Sequence, residues 1–279
     1  MRVISPHESG TGWHDGLAMT TGTVSTTPTA YWWSHKPNLG DRLTAILLRH
    51  FANLDLAWAA PAQADLVVCG SVLDVLPPGW DGVVAGAGKL HADYSPDLRE
   101  AKVLGLRGQL TLRDARLSSG NVVIGDPGLL VGELTPVERD VHEVGIVPHW
   151  SDTVLYPRFA GAFENHPHIQ PVFVDITGPP LEVIRQIASC KKIVASALHG
   201  VIVADAFGIP RRVEPFPNMK TPAEGGSAFK FLDYASAIGQ PIEWGKLGGQ
   251  IAPRDSIERI TAELFDMFRA VPAALARHV

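Results

Sequence analysis

The sequence is poor in cysteine, in charge and in long apolar runs. Its 279 residues include only two cysteines, Cys69 and Cys190, too few for a disulfide framework or a cysteine-based metal centre. Both lie in apolar segments, and we interpret them as buried free thiols in a reducing compartment. No apolar run approaches the roughly 18 residues of a membrane span, and no apolar core of signal-peptide length occurs near the N-terminus. We therefore expect a cytoplasmic protein without a membrane span.

The charge balance and the missing motifs exclude further classes. Charged residues make up 19% of the chain and the net charge is −5, whereas broad nucleic-acid binding usually needs a basic surface, so we expect no nucleic-acid partner. The sequence has no GxxxxGK[ST] loop, no HExxH and no GxSxG elbow. Gly86-Ala87-Gly88 lacks the third glycine of the dinucleotide fingerprint. No cluster of carboxylates and histidines indicates a metal site, and we predict neither a metal nor a cofactor.

What the chain does have is a regular alternation of apolar strands and amphipathic helices. Hydrophobic residues make up 46% of it. Continuous apolar strands that end at glycine are typical of a parallel sheet covered on both faces. The predicted strands are 30–33, 66–69, 83–85, 103–106, 122–124, 144–147, 171–175, 193–195 and one that begins at 212. The predicted helices are 38–52, 109–118, 152–163, 180–190, 198–207 and a last one around 257–268.

A polar segment, 133–143, interrupts this rhythm, and we place a domain boundary there. The sequence thus predicts an α/β fold of two Rossmann-like domains, 29–138 and 139–279, facing each other across a cleft. Residues 1–28 are rich in Gly, Ser, Thr and Pro, and we expect a loosely held leader there.

Ligands of open parallel sheets bind beyond the carboxyl ends of the strands, so the residues directly after each strand are the site candidates. His199 is the sharpest of them, because it opens an apolar helix whose N-terminal N–H groups favour an anion. Each candidate also has a structural alternative: a helix cap, a tight turn or a core histidine. The candidates are Asn38, Gly40, Asp41, Gly70, Ser71, Arg107, His149, Ser196, His199 and Gly200.

Taken in order, these segments resemble the polysaccharide pyruvyl transferase family, and within it the succinoglycan-type pyruvyl transferases. The matching segments are Asn38-Leu39-Gly40-Asp41, Gly70-Ser71, Gly86-Ala87-Gly88, Leu106-Arg107-Gly108, Gly125-Asp126-Pro127-Gly128, Val147-Pro148-His149, and Ser196-Ala197-Leu198-His199-Gly200 with its continuation to Pro210.

The resemblance implies a GT-B-like arrangement, with the acceptor on the N-terminal side and the donor on the C-terminal side. It also implies transfer of pyruvate from phosphoenolpyruvate to a sugar of a glycan or glycolipid, as a cyclic ketal on two hydroxyls. Some family members contact phosphoenolpyruvate through an Arg-Leu-His triplet where this chain has Ala197-Leu198-His199. The succinoglycan-type branch is similar to the Ser-x-Leu-His-Gly form found here. The compensating cation is then Arg107, Arg113, Lys230 or Arg211, and we prefer Arg107.

The chemistry of ketal formation suggests roles for the candidates. Phosphoenolpyruvate carries a phosphate and a carboxylate, so its site needs cations and N–H donors. His199 fits the phosphate-binding or acid role, and His149 is a second candidate histidine. Asp41 is placed to orient or deprotonate an acceptor hydroxyl. Trp32, Trp33 or Trp80 could stack on a sugar ring, but the adjacent Trp32 and Trp33 point to opposite faces of a strand.

Two other functions stay open from the sequence alone. One is a GT-B glycosyltransferase that uses a nucleotide sugar and holds the ribose with a carboxylate such as Glu214 or Glu224. The other is a non-catalytic member that binds glycans, since the arginine of the triplet is missing.

Overall fold

The computed structural model of the protein describes residues 27–118, 120–134, 136–155, 170–214, 228–245 and 248–276. The first 26 residues of the predicted leader lie outside this part of the chain.

The strands are short and parallel, as their apolar sequences predict. In chain order they are β1 Thr29–Tyr31, β2 Ala57–Trp58, β3 Leu66–Val67, β4 Val83–Ala85, β5 Asp97–Leu98, β6 Lys102–Leu106, β7 Arg116–Leu117, β8 Val123–Ile124, β9 Gly145–Val147, β10 Val172–Phe173, β11 Ile193–Ala195 and β12 Arg211–Val213.

The α-helices follow the predicted amphipathic segments, with one addition in the described part of the chain, α5. They are α1 Leu39–Phe51, α2 Gln109–Asp114, α3 Pro180–Ala188, α4 Leu198–Ala206, α5 Phe229–Ile238 and α6 Arg254–Leu275. The predicted helix 152–163 begins as a 3₁₀ helix, Trp150–Leu155, and the rest of that prediction lies outside the described residues. Three further 3₁₀ helices, Pro61–Gln63, Leu73–Val75 and Pro127–Glu133, lie among the described residues.

The strands form two separate parallel sheets. The first has the order β2-β1-β3-β4-β6-β8 and the second the order β10-β9-β11-β12, while β5 and β7 pair apart from both. In each sheet the chain first moves to one side and then returns past its first strand to build the other side. The reversal therefore lies between β1 and β3 in one sheet and between β9 and β11 in the other. Such switch points are where doubly wound sheets bind ligands.

The first sheet is covered on both faces. Ala30, Leu66 and Val83 face a large core, whereas Tyr31, Val67 and Val84 face a second cluster around Trp80, as alternation along a strand requires. The large core continues into the second sheet, through residues such as Val147, Ile193 and Val201.

Segment 133–143 lies between β8, in the first sheet, and β9, in the second. Helix α6, however, returns to the first sheet and packs on β4, β6 and β8. Gly105 and Gly125 allow this approach, because a Cβ there would lie 2.3 Å from Met267 Sδ and from Ile260 Cγ2, respectively. The division into domains at residue 138 stays a prediction. Among the described residues, no helix is long and apolar enough to cross a membrane.

Candidate active site

A cavity of about 360 Å³ opens where the carboxyl ends of the two sheets meet. Its walls come from both switch points, since residues after β1 and β3 face residues after β9 and β11. The polar and aromatic side chains that line it are Tyr31, Trp33, Asn38, Asp41, Ser71, Asp74, His91, His149, Trp150, His199 and Lys230.

Most of the residues predicted from the sequence line this cavity. They are Asn38, Asp41, Gly70, Ser71, His149, His199 and Lys230. Gly40, Arg107, Ser196 and Gly200 are not among the lining residues. Each of these four instead contacts a residue at or behind the cavity wall.

Asp41 is held at the cavity wall by the start of α1. Asn38 caps this helix by accepting the Asp41 N–H on its side-chain oxygen, and its Nδ2 donates to Asp41 Oδ2. Burial raises the pKa of Asp41, although the bond from Asn38 and the charges of His199 and Lys230 oppose that rise. A Cβ on Gly70 would lie 2.6 Å from Asp41 Oδ1. A carboxyl with a raised pKa in a cavity is suited to proton transfer.

His199 lies in the first turn of α4, with 12% of its side chain exposed. Its ring packs against α1 at Gly40, where a Cβ would lie 2.0 Å from the ring. Gly200 similarly lets α4 approach β9, because a Cβ there would lie 2.9 Å from Val147 Cγ1. Among the described residues, no side chain caps α4, and the Gly200 N–H donates to the Ala197 carbonyl at 3.0 Å. The N–H groups of Leu198 and His199 are therefore the ones that α4 offers to an anion.

Four cationic side chains were candidates to replace the missing arginine, and of these Lys230 lines the cavity. Burial, together with the positive charge of Arg107, lowers its pKa to about 8, against the pull of Asp41 and Asp152. The other candidates are engaged elsewhere. Arg113 is exposed beside Asp114 and Arg211 forms a fully buried pair with Asp205.

His149 follows β9 and carries a neutral ring. Burial, reinforced by the charge of Lys230, lowers its pKa to about 3. Its Nδ1 lies 2.8 Å from Ser151 Oγ, which donates to Asp152. Ser196 fixes the backbone behind it, accepting the His149 N–H at 2.9 Å and donating to Asp152 Oδ2 at 3.0 Å. Ser196 thus positions the loop that carries His149.

Arg107 lies behind the cavity in a buried network. Its Nε donates to Asp233 Oδ2 at 2.9 Å, Nη2 donates to the Lys89 carbonyl at 2.7 Å, and Nη1 donates to the Ser71 hydroxyl. Gly88 makes room for it, because a Cβ there would lie 2.4 Å from the guanidinium carbon. Arg107 thereby reaches the cavity wall through Ser71, and its direct contact with an anion stays a prediction.

The three candidate tryptophans lie in different surroundings, and Glu214, a candidate for holding a nucleotide sugar, does not line the cavity. Trp33 is 39% exposed and lines the cavity, whereas Trp80 is buried and donates to the Ala64 carbonyl. Trp32 packs against the large core. Glu214 forms an ion pair with Arg212 and is not a lining residue. Glu224 lies outside the described residues.

The sequence analysis missed several residues of the site. Tyr31, Asp74, His91, Trp150 and Ile176 line the cavity without having been predicted. Asp74 lies after the Gly70-Ser71 motif, in a 3₁₀ turn, and accepts the N–H groups of Leu90 and His91. Nothing in the local sequence signals this link between two loops. Within the described ranges, no group of three His, Cys, Asp or Glu side chains could hold a metal ion.

Comparison with known proteins gives one family and two relatives. Residues 88–213 match the family described as polysaccharide pyruvyl transferase, which confirms the resemblance carried by the motifs. The matched region contains Arg107, Asp126, His149 and His199. The first-sheet residues Asn38, Asp41 and Gly70, and also Lys230, lie outside it.

Both relatives are longer than the region they share with this chain. The chain is 29% identical over 218 residues to the succinoglycan biosynthesis protein ExoV of Rhizobium meliloti (strain 1021), covering 75% of this chain and 64% of the relative. It is 31% identical over 166 residues to the uncharacterized protein L143 of Acanthamoeba polyphaga mimivirus, covering 56% of this chain and 55% of the relative. The chain thus spans less than two thirds of either relative's length.

Proposed function

We propose that this chain, which matches the polysaccharide pyruvyl transferase family over residues 88–213, transfers pyruvate from phosphoenolpyruvate to two hydroxyls of a saccharide, forming a cyclic ketal. The observation that carries the proposal is the cavity at both switch points, which Lys230, His199 and the start of α4 line together with Asp41 and Trp33. The first group is suited to binding an anion and the second to binding a sugar.

The donor side is formed by Lys230 and the N-terminal turn of α4. Phosphoenolpyruvate brings a phosphate and a carboxylate, which bind to charged donors and free N–H groups. With a pKa of about 8, Lys230 is mostly protonated at pH 7. It supplies the positive charge that the family's arginine would supply at the position of Ala197.

The reaction needs one proton at carbon and two hydroxyls. The methylene carbon of phosphoenolpyruvate gains a proton, and the first sugar oxygen bonds to C2 while it loses its own proton. The C2–O bond to phosphate then breaks, and the second hydroxyl bonds to C2 and passes its proton to the departing phosphate. The products are the ketal and inorganic phosphate, which carries that proton.

Three side chains divide this work. His199, beside the donor, delivers the proton to the methylene carbon and stabilises the phosphate. Asp41, at the start of α1 with a raised pKa, accepts a proton from the attacking hydroxyl. His149, neutral because its pKa is about 3, orients a hydroxyl by hydrogen bonding and does not act as an acid at neutral pH.

The finer architecture and setting belong to the same proposal. We infer a GT-B-like arrangement, in which the cavity is the cleft between two Rossmann-like domains. Two parallel sheets that contribute facing walls support it. A glycan or glycolipid is the acceptor. A cytoplasmic location is consistent with the two cysteines, both buried and free.

Replacement of His199 by glutamine tests the proposal. Glutamine keeps a hydrogen-bonding group but cannot transfer a proton, so pyruvyl transfer falls by about 10²–10⁴, the usual effect of one acid–base group. His50→Gln, an exposed change at the end of α1, is the matched control and keeps full activity. Circular dichroism and melting temperature show that the variants fold.

Melting temperatures measured with added ligands separate this function from glycosyl transfer. Phosphoenolpyruvate raises the melting temperature of the wild-type protein, whereas UDP- and GDP-sugars do not. A His199→Gln variant with wild-type transfer rate would eliminate the acid role. Stabilisation by a nucleotide sugar alone would overturn the proposed donor.

A further inference from the structure

Asp126 and His199 form a buried pair behind the donor side of the cavity. Asp126 Oδ1 lies 3.7 Å from His199 Nε2, and the Asp126 side chain is 1% exposed. Within the described part of the chain, neither Asp126 Oδ2 nor His199 Nε2 has a hydrogen-bond partner. Buried polar atoms almost always have hydrogen-bond partners. The two unpartnered atoms therefore indicate that Asp126 and His199 function as a pair.

Two rigid segments hold the pair in place. Asp126 precedes the 3₁₀ helix Pro127–Glu133 and caps it, accepting the Gly128 N–H on Oδ1 at 2.8 Å. The His199 ring lies between this helix and α1. A Cβ on Gly128 would lie 3.4 Å from His199 Cδ2, and one on Gly40 would lie 2.0 Å from the ring. The imidazole therefore has little room to turn away from Asp126.

The charges around the pair favour an ionised Asp126. Burial alone would raise the pKa of Asp126, but the charge and hydrogen-bonding capacity of His199, the Gly128 N–H and the charge of Arg107 together lower it. From the other side, Asp41 of α1 and Lys230 of α5 line the same cavity as His199. Asp126 thus places a negative charge beside the buried Nε2 of the ring. On the cavity side lie one acidic residue, Asp41, and one basic residue, Lys230.

We propose that Asp126 is a positioning residue that binds the Nε2–H of His199 and stabilises the imidazolium, which leaves Nδ1 as the nitrogen that exchanges a proton with the donor. That this proton goes to the donor rests on the proposed function. The contact between Asp126 and His199 does not rest on it, because the positions of the two buried side chains define that contact. Closing the gap from 3.7 Å to hydrogen-bond length requires only a small movement of either side chain.

Asp126→Asn tests the pair, since asparagine keeps an acceptor for Nε2–H but removes the charge. In the wild-type protein we expect neutral His199 to carry its proton mainly on Nε2, as read from the nitrogen shifts of ¹⁵N-labelled histidine, and we expect this share to fall in Asp126→Asn. The signal is assigned by its loss in His199→Gln. Asp266→Asn, an exposed change on α6, leaves the share unchanged.

The outcomes separate this inference from the proposed function. An unchanged share of the Nε2–H form in Asp126→Asn overturns the pair, even if the protein transfers pyruvate. A lowered share in Asp126→Asn, with a wild-type protein that has no transfer activity, supports the pair and overturns the function. If Asp126→Asn does not fold, the wild-type nitrogen shifts decide: neutral His199 protonated at Nε2 supports the pair, and protonation at Nδ1 contradicts it.

Discussion

Replacing Lys230 by glutamine should weaken donor binding without weakening the fold. Lys230 lines the cavity beside His199 and the start of α4, and glutamine keeps a polar side chain of similar reach. A hydrogen bond to a charged group contributes about 1.5–3 kcal/mol. The loss therefore corresponds to roughly a tenfold to more than a hundredfold increase in the dissociation constant of phosphoenolpyruvate.

The pH dependence gives the same prediction a second test. In the free protein, burial and the charge of Arg107 lower the pKa of Lys230 to about 8. An anion binds to the charged form, so affinity is full below this pH and falls as the pH rises through it, by at most about tenfold per pH unit. Lys230→Gln should lose this fall, because glutamine carries no proton to release.

Isothermal titration calorimetry with phosphoenolpyruvate and with inorganic phosphate, at several pH values, measures both effects. Lys191→Gln is the matched control, because Lys191 is exposed and paired with Glu143. Wild-type affinity in Lys230→Gln, with a fall above pH 8 that persists, would refute the assignment of Lys230 as the donor's cation.

Three further predictions follow from the contacts. Arg107→Ala should lower the free energy of unfolding by about 3–5 kcal/mol, because it leaves the buried Asp233 carboxylate without its cation; urea unfolding at wild-type stability would contradict this. Because folding lowers the pKa of His149 from 6.5 to about 3, stability falls as the pH drops below about 6.5, and His149→Gln should flatten this fall in melting temperature; an equally steep fall would be evidence against the buried neutral ring. Trp33→Ala should raise the acceptor KM roughly two- to tenfold, the value of an aromatic contact of about 0.5–1.5 kcal/mol, with the affinity for phosphoenolpyruvate unchanged; a change in donor affinity alone would place the sugar elsewhere.

Much of the fold could be predicted from the sequence, because its signals are local. The signals for an apolar strand that ends at glycine, or for a helix with a capping residue, lie within a few consecutive residues, as at Asn38 and α1. The exposed edge strand β2 and the helix α5 were missed. The first is only two residues long, and the second follows a segment without a clear hydrophobic period.

The site was only partly predictable, because its finer contacts join distant parts of the chain. Asp41 and His199 could be found, since each opens a helix after a strand. The partner of Arg107 could not, because Asp233 is 126 residues away in sequence. The choice between Lys230 and Arg107 as the cavity's cation likewise depends on the pairing of Arg107 with Asp233. No local sequence pattern indicates that pairing.

The most direct test of the central claim is the mass of the acceptor after incubation with phosphoenolpyruvate. Alkyl glycosides of glucose, galactose and mannose serve as acceptors, with inorganic phosphate measured in parallel and His199→Gln as the control. The account predicts that an acceptor gains the mass of pyruvate less one water, with one phosphate released per ketal, and that His199→Gln gives little of either. Gain of a hexose from a nucleotide sugar, with no product from phosphoenolpyruvate, would contradict it.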